Sequence, residues 1–198
     1  MNLIKILKYK NFSLNRIIGF LLFICILSSC QYFVPIYKRV LSNDSKVRTK
    51  ALIKLQQCSE VKKKELIPQF INLLNNPDTL LANRASEALV SIGPLVIPEL
   101  LQCLNTNDVL LKIGSIQTLG RLGSQAEQAL GSLLIHLTDS HPLVRQEIIY
   151  AIDQIGVNTP EVRASLKKLT QDPDDEVKRL SLETLDHLEN RSPEDDRS

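Results

Sequence analysis

Along the middle of the chain, apolar residues recur at offsets 0, +4, +8 and +11 within successive segments. That spacing is one face of a 3.6-residue helix. Four segments align without internal gaps: LANRASEALVSIG from Leu81, LKIGSIQTLGRLG from Leu111, VRQEIIYAIDQIG from Val144 and VKRLSLETLDHLE from Val177. A fifth, VRTKALIKL from Val47, matches their first nine positions. Their first residues stand 34, 30, 33 and 33 apart. The ninth position is Leu55, Leu89, Leu119, Ile152 and Leu185, and the twelfth is Ile92, Leu122, Ile155 and Leu188. A second set alternates with these: LIPQFINLLN, VIPELLQCLN, ALGSLLIHLT and EVRASLKKLT. Its apolar columns are Ile67/Ile97/Leu130/Val162, Ile71/Leu101/Leu134/Leu166 and Leu74/Leu104/Leu137/Leu169. The pattern predicts repeated pairs of antiparallel helices. One such pair cannot bury its apolar faces alone, but stacked neighbours can.

Polar positions punctuate the array in register. Asp44, Asp78, Asp108 and Asp174 each lie three residues before a first position, where they predict helix N-caps. His141 replaces Asp in the fourth copy and predicts a weaker cap. Gly93, Gly123 and Gly156 follow the twelfth position, a helix-ending signal. Gly114 and Gly120 fall inside a predicted helix, at roughly 1 kcal/mol each relative to Ala. That helix is either less stable than its neighbours or packs unusually close to them.

The Asp-x-x-Val-Arg-like starts (Asp44 to Arg48, Asp174 to Lys178), the Ile-Gly ends and the Ile67-Pro68 and Ile97-Pro98 pairs resemble HEAT repeats, in particular the short repeats of the phycobilisome-lyase type. The resemblance spans about three quarters of the chain. It implies an all-α fold, a right-handed α-solenoid of about four to five HEAT-like hairpins over residues 43–188. The first repeat keeps mainly its second helix, with 30–42 as a linker or imperfect first one. The thirty-four-residue tetratricopeptide pattern and the Thr-Pro-Leu-His signature of ankyrin repeats are absent.

Residues 1–29 have a different grammar. Lys5, Lys8, Lys10 and Arg16 precede the uncharged run IIGFLLFICILSSC at 17–30, the arrangement of a secretory signal. Leu27-Ser28-Ser29-Cys30 resembles a bacterial lipobox, which implies lipidation of Cys30 and an anchored protein facing the periplasm or another extracytoplasmic space. The alternatives are a single-pass anchor at 17–37, a stretch without charge, and a buried N-terminal helix. Residues 189–198 are polar and acidic and predict a disordered tail.

Charge is segregated. The chain nets +2, yet residues 31–66 carry nine basic and three acidic groups while 67–158 carry four basic and eight acidic. From residue 31 onward the balance is slightly acidic, which argues against a nucleic-acid partner. The Lys62-Lys63-Lys64 run makes the N-proximal end basic. That end either faces anionic headgroups or is a solvated terminal face. Trp is absent and aromatics are few, as suits helices packed through aliphatic side chains.

Chemistry-bearing constellations are lacking. Cys25, Cys30, Cys58 and Cys103 show no metal-ligand spacing, and Cys58 and Cys103 are expected as free thiols. His136, aligned with Leu73 and Cys103, is expected to pack; His141 sits at a turn and His187 on an outer face. The His-Glu pairs of iron-binding, HEAT-like deoxyhypusine hydroxylases do not occur. No cofactor, metal or small-molecule substrate is indicated. The reading is therefore a membrane-tethered, non-catalytic scaffold with a protein partner on the concave face; the alternative is a phycobilin-lyase-like or chromophore-protein assembly factor. Outward positions on the second helices are Arg48, Lys112, Arg145 and Lys178 at +1, and Glu87, Gln117, Tyr150 and Glu183 at +6. The +1 bases have a second reading, an internal ladder with the capping aspartates.

Overall fold

The computed structural model describes residues 36–190. Two compact units divide the chain, residues 1–39 and Val40–Ser198; of the first, only 36–39 are described, in a helical stretch. The proposed signal segment, Cys30 and residues 191–198 lie outside the described residues. In the second unit the helices are α1 (Ser45–Gln56), α2 (Glu60–Ile71), α3 (Thr79–Ile92), α4 (Ile97–Cys103), α5 (Val109–Arg121), α6 (Leu130–His136), α7 (Pro142–Ile155), α8 (Pro160–Leu169) and α9 (Asp175–Asn190). Short 3-10 turns, Pro94–Val96 and Gly123–Ala129, lead into α4 and α6. Helix α9 runs to Asn190, so residues 189 and 190 extend the last helix rather than begin a tail.

The topology is an α-solenoid of HEAT-like hairpins. Helices α1, α3, α5, α7 and α9 stack in one row, each against the next. In a second row α2, α4, α6 and α8 each pack on the helix that follows, giving the hairpins α2–α3, α4–α5, α6–α7 and α8–α9. The apolar columns meet between the rows. Leu55, Leu89, Leu119 and Ile152 are inaccessible to solvent, as are Ile67 and Leu166, and Leu74, Leu104, Leu137 and Leu169 are buried. In α9, Leu185 is only half-buried.

The repeat starts are built as their spacing predicts. Asp44, Asp78, Asp108 and Asp174 each accept a backbone N–H of the first turn at 2.8–3.0 Å. The N–H of Leu111 and the side chain of Asn75 hold the Asp108 carboxyl below the usual carboxylate range. His141 makes no side-chain cap. Just before the caps runs a further column: Ser42, Asn76, Asp139 and Asp172, five residues before four of the five first positions, accept the N–H two residues on. This local side-chain-to-backbone turn fixes the chain's entry into α1, α3, α7 and α9.

The glycines divide by role. Gly93, Gly123 and Gly156 have φ of 87°, 59° and 81°, a region that costs residues with a Cβ. Gly114 and Gly120 instead permit close approach. A Cβ on Gly114 would stand 2.8 Å from the Leu74 carbonyl oxygen, and one on Gly120 would lie 3.1 Å from the Ala151 Cα and closer still to the Gln154 side chain. Helix α5 thus sits hard against the chain after α2 and against α7, which decides between the two readings of these glycines.

Candidate partner-binding groove

Of the eight partner-surface candidates, the structure gathers three. Glu87, Gln117 and Tyr150 occupy the same offset on α3, α5 and α7 and line one open groove of about 600 Å³. Every lining residue comes from those three helices. Asn83, Ser86, Arg121, Glu147 and Gln154 complete the polar walls, while Leu80 and Ala151 add apolar surface. Tyr150 is 45% exposed, although it is among the larger apolar side chains.

Position +6 alone does not reveal the other walls. They come from offsets −1, +2, +3, +5, +7 and +10, whose residue types vary from repeat to repeat. One signal was present: Glu147 shares its column with Lys50, Arg84, Gly114 and Leu180, of which the last three are buried, and an acid there must face something polar. Burial pushes its carboxyl above the ordinary 4.5, and a hydrogen bond from Gln117 pulls in the opposite direction. The sign follows. The raised value means that the fold favours the protonated form. That contribution is complete below the unfolded value and is lost as pH rises through the folded one. Gln117→Ala is expected to raise the Glu147 pKa further, read by carboxyl-carbon NMR titration; an unmoved or lowered value would contradict this contact.

The bases at +1 need correction. Arg145 is not on a partner surface. It is 7% exposed, and its Nε and Nη2 grip Asp172 in a two-pronged bond at 2.9 and 2.6 Å. Its Nη1 donates to the carbonyl of Asp139 at 2.7 Å. Lys112 is also withdrawn, with its Nζ 2.6 Å from Asp139. Burial raises the Asp139 pKa, but Lys112 and the N–H of His141 outweigh it, and the net shift is downward. These bases do form a ladder. Its acceptors are not the capping aspartates but Asp139 and Asp172, each two residues before a cap position. Each rung reaches forward: Lys112 ties α5 to the turn before α7, and Arg145 ties α7 to the turn before α9.

The remaining candidates do not line the groove, although Arg48 reaches its edge at Glu87. Arg48 donates to the Ser42 carbonyl at 3.0 Å and lies 3.6 Å from Glu87. Lys178 pairs with exposed Asp175 at 2.6 Å, and Glu183 with Arg179, both on α9. Sequence reasoning missed Arg84. Buried, it binds the Leu41 carbonyl at 2.9 Å and Asn43 at 2.8 Å, tying α3 back to the turn before α1.

Among the described residues the two thiols are free: Cys58 is half-buried and Cys103 buried. His136 is half-buried and bonds the Ser132 carbonyl through Nδ1 at 2.9 Å. His141 is half-buried. His187 is exposed and meets Asp153. Among the described residues, no single helix is long and apolar enough to cross a membrane.

A two-row stack of helical hairpins with a polar groove across one row defines the class, a repeat solenoid. The family model for HEAT repeats matches residues 97–186, from α4 into α9. The two earlier repeats extend the same column pattern beyond that match. Among solved structures, the complex of CpcE and CpcF of phycocyanin lyase from Nostoc sp. PCC7120 is similar at a TM-score of 0.51 and 17% identity, covering 76% of this chain and 95% of that one. An engineered protein is similar at 0.45 and 19%, covering 83% and 82%. A designed armadillo repeat protein in complex with the peptide (KR)4 is similar at 0.44 and 17%, covering 78% and 86%. At 17% identity the likeness to the lyase complex shows the fold alone. No curated protein sequence matches the chain.

Proposed function

We propose that the chain is a membrane-tethered scaffold that holds a protein partner in the groove across α3, α5 and α7 and carries out no chemistry of its own. The observation that carries this reading is the convergence of Glu87, Gln117 and half-exposed Tyr150, one from each of three successive repeats, on one groove. Solenoids present extended binding surfaces of this kind on one face. The polar walls offer hydrogen bonds at regular spacing, and Tyr150 supplies the large amphipathic ring that dominates many interfaces. The tether rests on the sequence alone, on the apolar run before Cys30. A chromophore-protein assembly role has behind it only a likeness of fold, and fold does not carry activity.

One preparation tests both halves. The full chain is isolated from membranes with its bound proteins, weighed intact, and compared with Tyr150→Ala. A mature chain beginning at Cys30 with added acyl mass supports the tether, and an unprocessed Met1 chain removes the lipoprotein form of it. Loss of a central aromatic anchor is expected to lower partner recovery by about tenfold or more. Equal recovery by both chains would remove Tyr150 from the interface.

A further inference from the structure

We infer that the α1–α2 end of the solenoid is an electrostatic contact surface for an anionic phospholipid bilayer. Residues 40–66 carry seven basic side chains (Lys46, Arg48, Lys50, Lys54 and Lys62 to Lys64) against three acidic, while 67–190 carry nine basic against sixteen acidic. Among the labelled helices of the second unit, α1 begins one row and α2 the other, so the excess positive charge stands at one end of that stack.

Folding does not account for five of these lysines. Lys46, Lys50, Lys62, Lys63 and Lys64 form no ion pair with any described residue, whereas Lys112, Arg145, Lys178 and Arg179 all do. Lys62 to Lys64 sit near the start of α2, where positive charge opposes the helix dipole. Lys46, Lys50 and Lys54 are spaced four apart and so form one row along α1, all exposed. Two apolar side chains lie among them, Val61 at 69% exposure and Ile53 at 50%. Lysines interleaved with exposed aliphatics match a charged surface with an apolar layer beneath it.

A flat surface is favoured over a flexible polyanion. Helices pack about 8–10 Å apart, so the last hairpin lies several Debye lengths of about 8 Å from the basic end. A bilayer touching that end leaves the acidic hairpins in solution. A long nucleic acid able to follow the stack would meet them. The basic end is also the end nearer in sequence to the apolar run at 17–30.

The inference rests on the tethered reading only for bringing this end to the membrane, and the test separates the two. The full chain is mixed with vesicles of phosphatidylcholine alone, or with about one third phosphatidylglycerol, and lysine acetylation rates are read by mass spectrometry. On the anionic vesicles Lys46, Lys50 and Lys62 to Lys64 are expected to react about five-fold more slowly than on neutral ones. Exposed Lys167 and Lys168 on α8 serve as the unchanged reference. High salt is expected to restore the rates. In K62Q/K63Q/K64Q, Lys46 and Lys50 are expected to lose most of their protection. Equal rates on both vesicles, or protection that survives high salt, would overturn the proposal. So would equal protection by single-stranded RNA without vesicles, which would assign the patch to nucleic acid. Failure to remain with neutral vesicles would count against the tether alone, since the anionic arm still reads the lysines.

Discussion

Asp172→Ala is expected to destabilise the repeat domain by roughly 3–5 kcal/mol, the cost of leaving one member of a buried ion pair uncompensated. The acid has two roles. Its carboxylate takes both prongs of the Arg145 guanidinium at 2.9 and 2.6 Å, and Oδ1 also accepts the N–H of Asp174 at 2.9 Å. Alanine removes both. The guanidinium, 7% exposed, then retains only the Asp139 and Ser140 carbonyls for its charge. At this chain length each kcal/mol moves the melting temperature by about 2–4 °C, so a drop on the order of 10 °C is expected in calorimetry. The exposed Lys178–Asp175 pair provides the contrast. With Asp175 almost fully in water, Asp175→Ala is expected to cost under about 1 kcal/mol. A double variant, Arg145→Met with Asp172→Leu, is expected to recover much of the loss, because it removes the charge along with its partner. A melting temperature unchanged by Asp172→Ala would show that the ladder does not hold α7 to the last hairpin.

Much of the fold was legible because the repeats report the same environment several times. The ninth position reads Leu55, Leu89, Leu119, Ile152 and Leu185, and four of these five are inaccessible to solvent. Asp three residues before a first position is a local rule, set by the reach of one carboxylate to one turn of N–H groups. Local rules of this kind need no knowledge of tertiary structure, and the four aspartates obey it.

Two things were not legible, for different reasons. The ladder's acceptors were misassigned because the chain around Asp172 and Asp174 holds two acids two residues apart, both capable of meeting Arg145. What separates them is occupancy: Asp174 is taken by the N–H of Val177 and by the Gln146 side chain of α7, and Asp172 receives the Arg145 guanidinium. The groove was only partly legible because it depends on how three helices tilt against one another. Glu87, Gln117 and Tyr150 shared an offset and could be found. Arg121 could not, since its place on the wall is set by its bond to Ser86 of the neighbouring helix at 3.0 Å. Gly114 is a third case, legible as an anomaly but not as a sign, because a glycine within a helix is compatible with weakness and with close packing alike.

Paired substitutions fix that sign. Gly114→Ala is expected to destabilise by roughly 1–3 kcal/mol, the usual cost of forcing a methyl group into a filled site. Two terms compete. Alanine gains about 1 kcal/mol of helix propensity over glycine. Against this, the new Cβ would stand 2.8 Å from the Leu74 carbonyl oxygen and 2.9 Å from the Leu74 Cβ. The first obstacle is backbone, in the turn that follows α2, so it cannot rotate away as the end of a flexible side chain could. The helix must instead shift, and α5 is held on its other side by Gly120 against Ala151. Packing therefore outweighs propensity. Gly131→Ala tests the propensity term alone: it lies in α6, where a methyl group would meet nothing within 4 Å, and it is expected to stabilise by up to about 1 kcal/mol. Opposite signs in thermal unfolding would show that α5 is drawn close to its neighbours by the absence of a side chain at residue 114. A Gly114→Ala chain as stable as Gly131→Ala would mean that α5 has room to move, and the rigid spacing of the groove walls on α3, α5 and α7 would lose its basis.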